Sequence, residues 1–262
     1  MKIYENFKNK IAIIYYKIFP ALHGRGYSKY KDHIIKNLLK KKKTNYNTLL
    51  DERVIEIPWI IKELKKKSGK LLDAGSTLNQ EYIIKELNHF KKKFISTLYP
   101  EKSYYNYLNT SYTYEDFEEI SFKDSYFDVV TCISTLEHIG FDNSIYNYGK
   151  FEIEKKKKDK LKKVLKNLTR ILKKKGTLLI TIPFGKKGFF SNMQQFDKIG
   201  LLNILNIIKP DKYFIEYYKI NNNKWVKCRD IECENVQPNI RKIKKKTQVL
   251  CANSIALIKI IK

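Results

Sequence analysis

The stretch Lys70-Leu-Leu-Asp-Ala-Gly-Ser-Thr-Leu-Asn79 constrains this chain more than any other. Leu71 and Leu72 read as the end of a buried strand, Asp73-Ala-Gly75 as a tight turn, and Tyr82, Ile83, Ile84 and Leu87 as one face of a helix that follows Asn79. A strand, an acidic glycine turn and a helix in that order form the first unit of a doubly wound α/β sheet. Such sheets take ligands at the carboxyl ends of their strands, beside the first turn. Gly75 lets backbone approach a ligand closely, and the helix N-terminus offers unpaired N–H groups. Asp73 is placed as an acceptor or counter-charge for a cationic or hydroxyl-bearing ligand.

The rest of the chain supplies the alternation such a sheet needs. Lys93 to Leu98 reads as a second strand with Tyr99-Pro-Glu101 as its exit. Phe127 to Cys132 is a continuous apolar run of the kind buried on both faces, with Ser134-Thr-Leu-Glu-His-Ile-Gly140 at its carboxyl end. Leu161, Val164, Leu165, Leu168, Ile171 and Leu172 make an amphipathic helix that Gly176 is expected to stop. Thr177 to Ile182 is a further buried strand that turns out through Pro183-Phe-Gly185. Asp197 caps a helix bearing Ile199, Leu202 and Leu205. Tyr213 to Lys219 and Ser254 to Ile261 are expected as antiparallel strands at the sheet edge.

Ahead of the first strand, residues 3–19 carry a helical stripe (Phe7, Ile11, Ile14, Tyr15, Ile18) suited to packing on the domain or to lying on a membrane surface. Tyr30, Ile34, Ile35, Leu38 and Leu39 make a second helix. A third follows Asp51-Glu-Arg53, with Pro58 near its first turn and Trp59 either in the core or closing over the first-turn pocket. The expected fold class is therefore α/β, a doubly wound Rossmann-like sheet, mostly parallel with an antiparallel edge strand, plus N-terminal helices. Residues 1–50 form a helical extension and 51–262 the sheet domain.

With 262 residues the chain suits one large domain. The apolar run from Ile11 to Phe19 is broken by Lys17 and too short to span a bilayer. A cytoplasmic protein without a transmembrane segment is expected, peripheral membrane contact remaining open. Four cysteines without a CxxC pair disfavour a zinc site or a disulfide frame. The net charge of +26 is carried almost wholly by lysine, with only five arginines. Because Arg is the residue preferred for bidentate phosphate and base contacts, a general Lys-rich composition explains the charge better than a polyanion surface.

Taken together, these stretches over about residues 50–261 resemble the class I S-adenosylmethionine-dependent methyltransferases. Leu71-Leu-Asp-Ala-Gly75 is similar to the family's first motif. Asp116 through Val130, with Ile120-Ser-Phe122 inside it, is similar to the acidic loop and fourth strand, and Leu168 to Pro183 to the helix, Lys-Lys-Gly turn and fifth strand. The Glu-Ile-Pro-Trp59 entry, Ser134–Gly140 and Ile-Pro-Phe-Gly185 resemble bacterial enzymes associated with surface-polysaccharide or other small-molecule methylation.

The resemblance implies S-adenosylmethionine as cofactor. Asp73 and the Gly75 turn would hold its amino acid end and Glu101 its ribose hydroxyls. Asp116 would accept from the adenine amine with Phe117 against the ring, and Cys132 to Thr135, including Ser134, would line the methyl end. The family's glycine pattern departs here at Thr77 and Asn79, whose side chains are expected to push the backbone away from the ligand. His138 is the candidate general base, with Glu137 either orienting it or facing solvent. Relatives with Glu-x-x-Glu-His hold a metal at this place; Ser134 stands at the first Glu, so no metal is expected. The acceptor implied is a small molecule or glycan, with Phe184, Phe189, Phe190 and Tyr146 as candidates for its pocket. The rivals are an RNA or DNA methyltransferase and a non-catalytic binding protein that keeps the fold. Against the first, the segment after the fourth strand lacks the Asn/Asp-Pro-Pro-aromatic signature of amino methylation, and no Pro-Cys nucleophile is present. The oligomeric state is left open.

Overall fold

A strand apolar at every position needs cover on both faces, and the central strands receive it. The computed structural model describes residues 25–40, 50–141, 159–189, 193–244 and 247–262. The expected helix over residues 3–19, the segment 142–157, Tyr146 and Phe190 lie outside these residues. Eight strands form one sheet: β1 (Lys70–Ala74), β2 (Lys92–Thr97), β3 (Thr110–Tyr114), β4 (Phe127–Ile133), β5 (Leu172–Pro183), β8 (Lys212–Asn221), β9 (Lys224–Cys228) and β12 (Ser254–Ile261). Their order is β3-β2-β1-β4-β5-β12-β8-β9. β1 to β5 run parallel, and β12 runs antiparallel to both β5 and β8. Two short hairpins stand apart, β6 (Gly188–Phe189) with β7 (Gln194–Gln195) and β10 (Asn239–Lys244) with β11 (Thr247–Cys251).

Alternate residues of each strand feed two cores. On one face Leu72, Val130, Ile180 and Ile258 pack with α4 (Lys160–Ile171) and α5 (Lys198–Ile208). On the other, Leu71, Val129, Leu179 and Leu257 pack with α1 (Arg25–Lys40), α2 (Arg53–Leu64) and residues around α3 (Glu81–Glu86). Asp128 ties the entry of three strands together. It accepts from the Lys70 N–H at 2.8 Å and from Lys173 Nζ at 2.7 Å.

The expected antiparallel edge is present in β12 and β8, with β9, not expected from the sequence, as its outermost strand. Several expectations are corrected. α2 begins at Arg53, so Pro58 falls in its second turn rather than its first. Trp59 is 7% exposed and donates to Glu216 Oε1 at 3.0 Å, far along the sheet from the first turn. α4 ends at Ile171, and Lys175 (φ 63°), not Gly176, takes the left-handed turn before the buried part of β5. Asp197 does cap α5, accepting from the Gly200 N–H at 2.8 Å. The buried face of that helix is Leu201, Ile204, Leu205 and Ile208, while Ile199 and Leu202 face solvent.

Candidate active site

The carboxyl ends of β1, β2 and β4 open on one cleft of about 490 Å³, within the roughly 300–1,000 Å³ usual for small-molecule sites. Gly75, Ser76 and Thr77 form its first wall, immediately after β1. Thr97 to Lys102 form the second, after β2. Glu115 to Phe117 and Lys160 form the third, and Ser134, Thr135 and His138 to Gly140 the fourth, after β4; Arg53 closes the floor.

The first turn is built by close approach. Gly75 has φ 111°, and a Cβ there would lie 2.1 Å from Thr135 Oγ1, so only glycine fits. Asp73 lies beneath this turn, 2% exposed, and does not line the cleft. Its carboxylate accepts from the Leu78 N–H at 2.7 Å and from Thr131 Oγ1 at 2.8 Å. Burial pushes its pKa up to about 7 against these two hydrogen bonds. The expected ligand contact from Asp73 is thereby corrected: it shapes the turn from below. The helix expected to offer free N–H groups is short. α3 has only six residues, and the Leu78 N–H ahead of it is already taken by Asp73.

Glu101 does reach the cleft. Ser76 Oγ donates to its Oε1, and Asn79 Nδ2 donates to its Oε2 at 2.6 Å. Asn79 is fixed in turn by Tyr112 Oη, which donates to Asn79 Oδ1 at 2.9 Å. Thr77 Oγ1 donates to the Ile133 carbonyl at 3.1 Å. The side chains expected to push the loop away from a ligand instead turn aside and knit it to the exits of β2 and β4.

Asp116 caps the short turn Phe117–Glu119, accepting from the Glu118 N–H at 2.9 Å, and pairs with Lys160 Nζ at 2.6 Å. Each oxygen thus carries one bond and keeps a second lone pair for a ligand. Phe117, 6% exposed, lines the same wall of the cleft. α4 holds this loop with one face. Lys163 pairs with Glu118, Asn167 Nδ2 donates to the carbonyls of Phe117 and Glu118, and Arg170 reaches the carbonyls of Ile120 and Phe122. Positions 160, 163, 167 and 170 recur at helical spacing, so one stripe serves the whole loop.

At the end of β4, Ser134 sits at φ 42° and 8% exposed. Its Oγ donates to Glu56 Oε1 at 2.6 Å, as does Thr181 Oγ1 at 2.6 Å. Glu56 is fully buried and its other oxygen is paired with Arg53. Arg53 therefore brings a cation to the cleft floor, anchored by a carboxylate that solvent does not reach. Nothing in the sequence pattern marks Arg53 as a site residue; its role appears only when α2 docks under β4. Cys132 is fully buried, so of the expected Cys132–Thr135 lining only Ser134 and Thr135 face the cleft.

His138 ends the turn Leu136–His138 and lines the cleft, its N–H donating to the Thr135 carbonyl at 3.1 Å. Glu137 points neither to solvent nor to the cleft. It is 2% exposed with Oε2 lacking a hydrogen-bond partner, and burial, with Glu56 nearby, raises its pKa well above the carboxylate range. Among the aromatic candidates, Phe184 is core, 1% exposed and packed on Tyr217 at 4.9 Å. Phe189 is exposed and stacks near Phe141 with ring centroids 6.3 Å apart. No cluster of His, Cys, Asp and Glu suited to a metal occurs among the described residues.

Residues 90–180 match the family model described as a methyltransferase domain. The match covers about a third of the chain, and the strand order and the cleft at the β1–β4 carboxyl edge agree with the fold that the resemblance to class I methyltransferases implies. Among solved structures the chain is similar to an N-methyltransferase NodS from Bradyrhizobium japonicum in complex with S-adenosylhomocysteine, at 10% identity over 88% of this chain and 98% of that one, TM-score 0.47. It is similar to the 1,6-didemethyltoxoflavin-N1-methyltransferase of Burkholderia thailandensis, at 11% identity over 78% and 75%, TM-score 0.48. It is also similar to a protein of Pyrococcus horikoshii, at 14% identity over 95% and 98%, TM-score 0.47. No curated protein matches by sequence.

Proposed function

We propose that this enzyme moves a methyl group from S-adenosylmethionine to an oxygen or nitrogen of a small-molecule or glycan acceptor, surface-polysaccharide units included. The observation that carries the reading is the convergence of Gly75, Glu101, Asp116, Ser134 and His138 on one cleft. The residues fit the donor. Gly75 lines the cleft with no side chain of its own, in a turn packed so closely on Thr135 that no Cβ fits, and Glu101 is held in place by two donors with its remaining lone pairs open to vicinal hydroxyls. When bound, S-adenosylmethionine supplies an electrophilic methyl on a sulfonium.

The chain's own residues then have separable tasks. Glu101 takes the ribose hydroxyls, and Asp116 with Phe117 takes the adenine. The Gly75 turn and Arg53 hold the amino acid end, Arg53 offering its free N–H donors to a carboxylate. Ser134 and Thr135 bound the space beside the methyl group. His138 accepts the proton that the attacking hydroxyl or amine must lose. Much of the acceleration comes from holding donor and acceptor in line.

The test is transfer of labelled methyl from S-adenosylmethionine to panels of amines, hydroxylated metabolites and oligosaccharides. At least one panel should be labelled, and His138→Ala should lower turnover by roughly 10²–10⁴ while donor affinity stays nearly intact. Labelling of RNA or DNA alone would overturn the acceptor assignment, and near-normal turnover of His138→Ala would remove its role as base.

A further inference from the structure

Away from the cleft, the hairpin edge of the sheet brings together two thiols that the sequence spacing does not advertise. Cys228 ends β9, and Cys233 follows the short turn Asp230–Glu232. Their Sγ atoms are 3.3 Å apart. Both are free; Cys228 is half-buried and Cys233 fully buried. A disulfide needs the sulfurs at about 2.0 Å, so closure requires a sulfur displacement of little more than an ångström.

We propose that Cys228 and Cys233 are an oxidative modification site, a thiol pair that a hydroperoxide converts to a reversible disulfide. Cys228 is the exposed member and the one that reacts first. The sulfur–sulfur contact with Cys233, together with the charge of Lys219, favours the Cys228 thiolate and lowers its pKa. In the first step the Cys228 thiolate attacks the distal oxygen of hydrogen peroxide, the O–O bond breaks, and hydroxide leaves to become water. Cys228 is now a sulfenic acid. In the second step the Cys233 sulfur, giving up its proton, attacks the Cys228 sulfur and expels the hydroxyl as a second water. Two thiols and one peroxide become one disulfide and two waters.

The bond would reach beyond the hairpin. The Cys233 carbonyl accepts from the Val236 N–H at 2.8 Å, and the Val236 carbonyl accepts from the Lys186 N–H at 3.0 Å and from Gln195 Nε2 at 2.8 Å. Lys186 belongs to the exit of β5, which leads to Phe189 and its stack near Phe141. Oxidation therefore ties β9 to the segment that supports this exit. The inference is independent of the donor and acceptor assignments.

The test is thiol counting and peptide mapping of the full chain, reduced, desalted and exposed to hydrogen peroxide. The four thiols should fall to two, one intramolecular link should join the peptide with Cys228 to that with Cys233, and dithiothreitol should restore all four. In Cys233→Ser no link should form, and dimedone should trap a sulfenic acid at Cys228. Four persisting thiols in the wild-type chain, a link through Cys132 or Cys251, or oxidation of Cys228 without a link would each overturn the proposal.

Discussion

Asp73 changes role between sequence and structure, and the change has a consequence in pH. Its ordinary pKa of 3.8 is pushed by burial up to about 7 in the folded chain. The folded state therefore holds a proton between these values that the unfolded state has lost. Stability then falls as pH rises, because the unfolded state binds fewer protons in that window. The contribution is fully present below about pH 4 and gone above about pH 7. Thermal melts across that range should show the decline, and Asp73→Asn should flatten it; a wild-type melting temperature that climbs from pH 4 to 7 by the same margin in both proteins would contradict the assignment. Gly75 and Glu101 make the complementary case, since both face the cleft where the sequence puts them. Gly75→Ala should abolish donor binding, because its Cβ meets Thr135. Arg53 was not legible. A lone Arg before an apolar helix carries no signal until Glu56, buried one turn along, fixes its direction.

At the scale of elements, strands marked by continuous apolar runs were readable, and strands marked only by alternation were not. β3, Thr-Ser-Tyr-Thr-Tyr, is a half-exposed edge, and its polar residues give no strand signal. β9 is hidden for the same reason, since only Trp225 of its five residues is buried. The α4 helix was legible by its apolar stripe, yet its other stripe does the positioning of the Asp116 loop. Asn167→Ala removes two hydrogen bonds to carbonyls of that loop. It should weaken donor affinity without touching the donor, by less than Asp116→Ala does, as read by calorimetry. Lys175 offers a test of backbone strain. A non-glycine residue in the left-handed region costs roughly 1–2 kcal/mol. Lys175→Gly should therefore raise unfolding free energy by up to about 1 kcal/mol, part of the gain being offset by glycine's greater unfolded-chain entropy. Denaturant melts with unchanged slope would measure it, and a loss of stability would show that the turn is not strained.

For the whole molecule, the doubly wound topology follows from one motif and the order of apolar runs, while the acceptor does not. The described residues contain no helix long and apolar enough to cross a membrane. The charge of +26 separates the acceptor classes. An enzyme that contacts several phosphates loses affinity steeply with salt because each contact releases counterions. Turnover on a small-molecule or glycan acceptor should instead stay nearly flat between about 50 and 200 mM salt; steep salt dependence together with methylated RNA would favour the nucleic-acid reading. The central claim is that the β1–β4 cleft binds the methyl donor through Glu101 and Asp116, and titration calorimetry with S-adenosylmethionine tests it most directly. The wild-type chain should give saturable one-site binding, with Glu101→Gln and Asp116→Ala each weaker by ~1–3 kcal/mol, the range for leaving a buried polar group unpaired. No saturable heat from the folded wild-type chain, or dissociation constants unchanged in both variants, would contradict it.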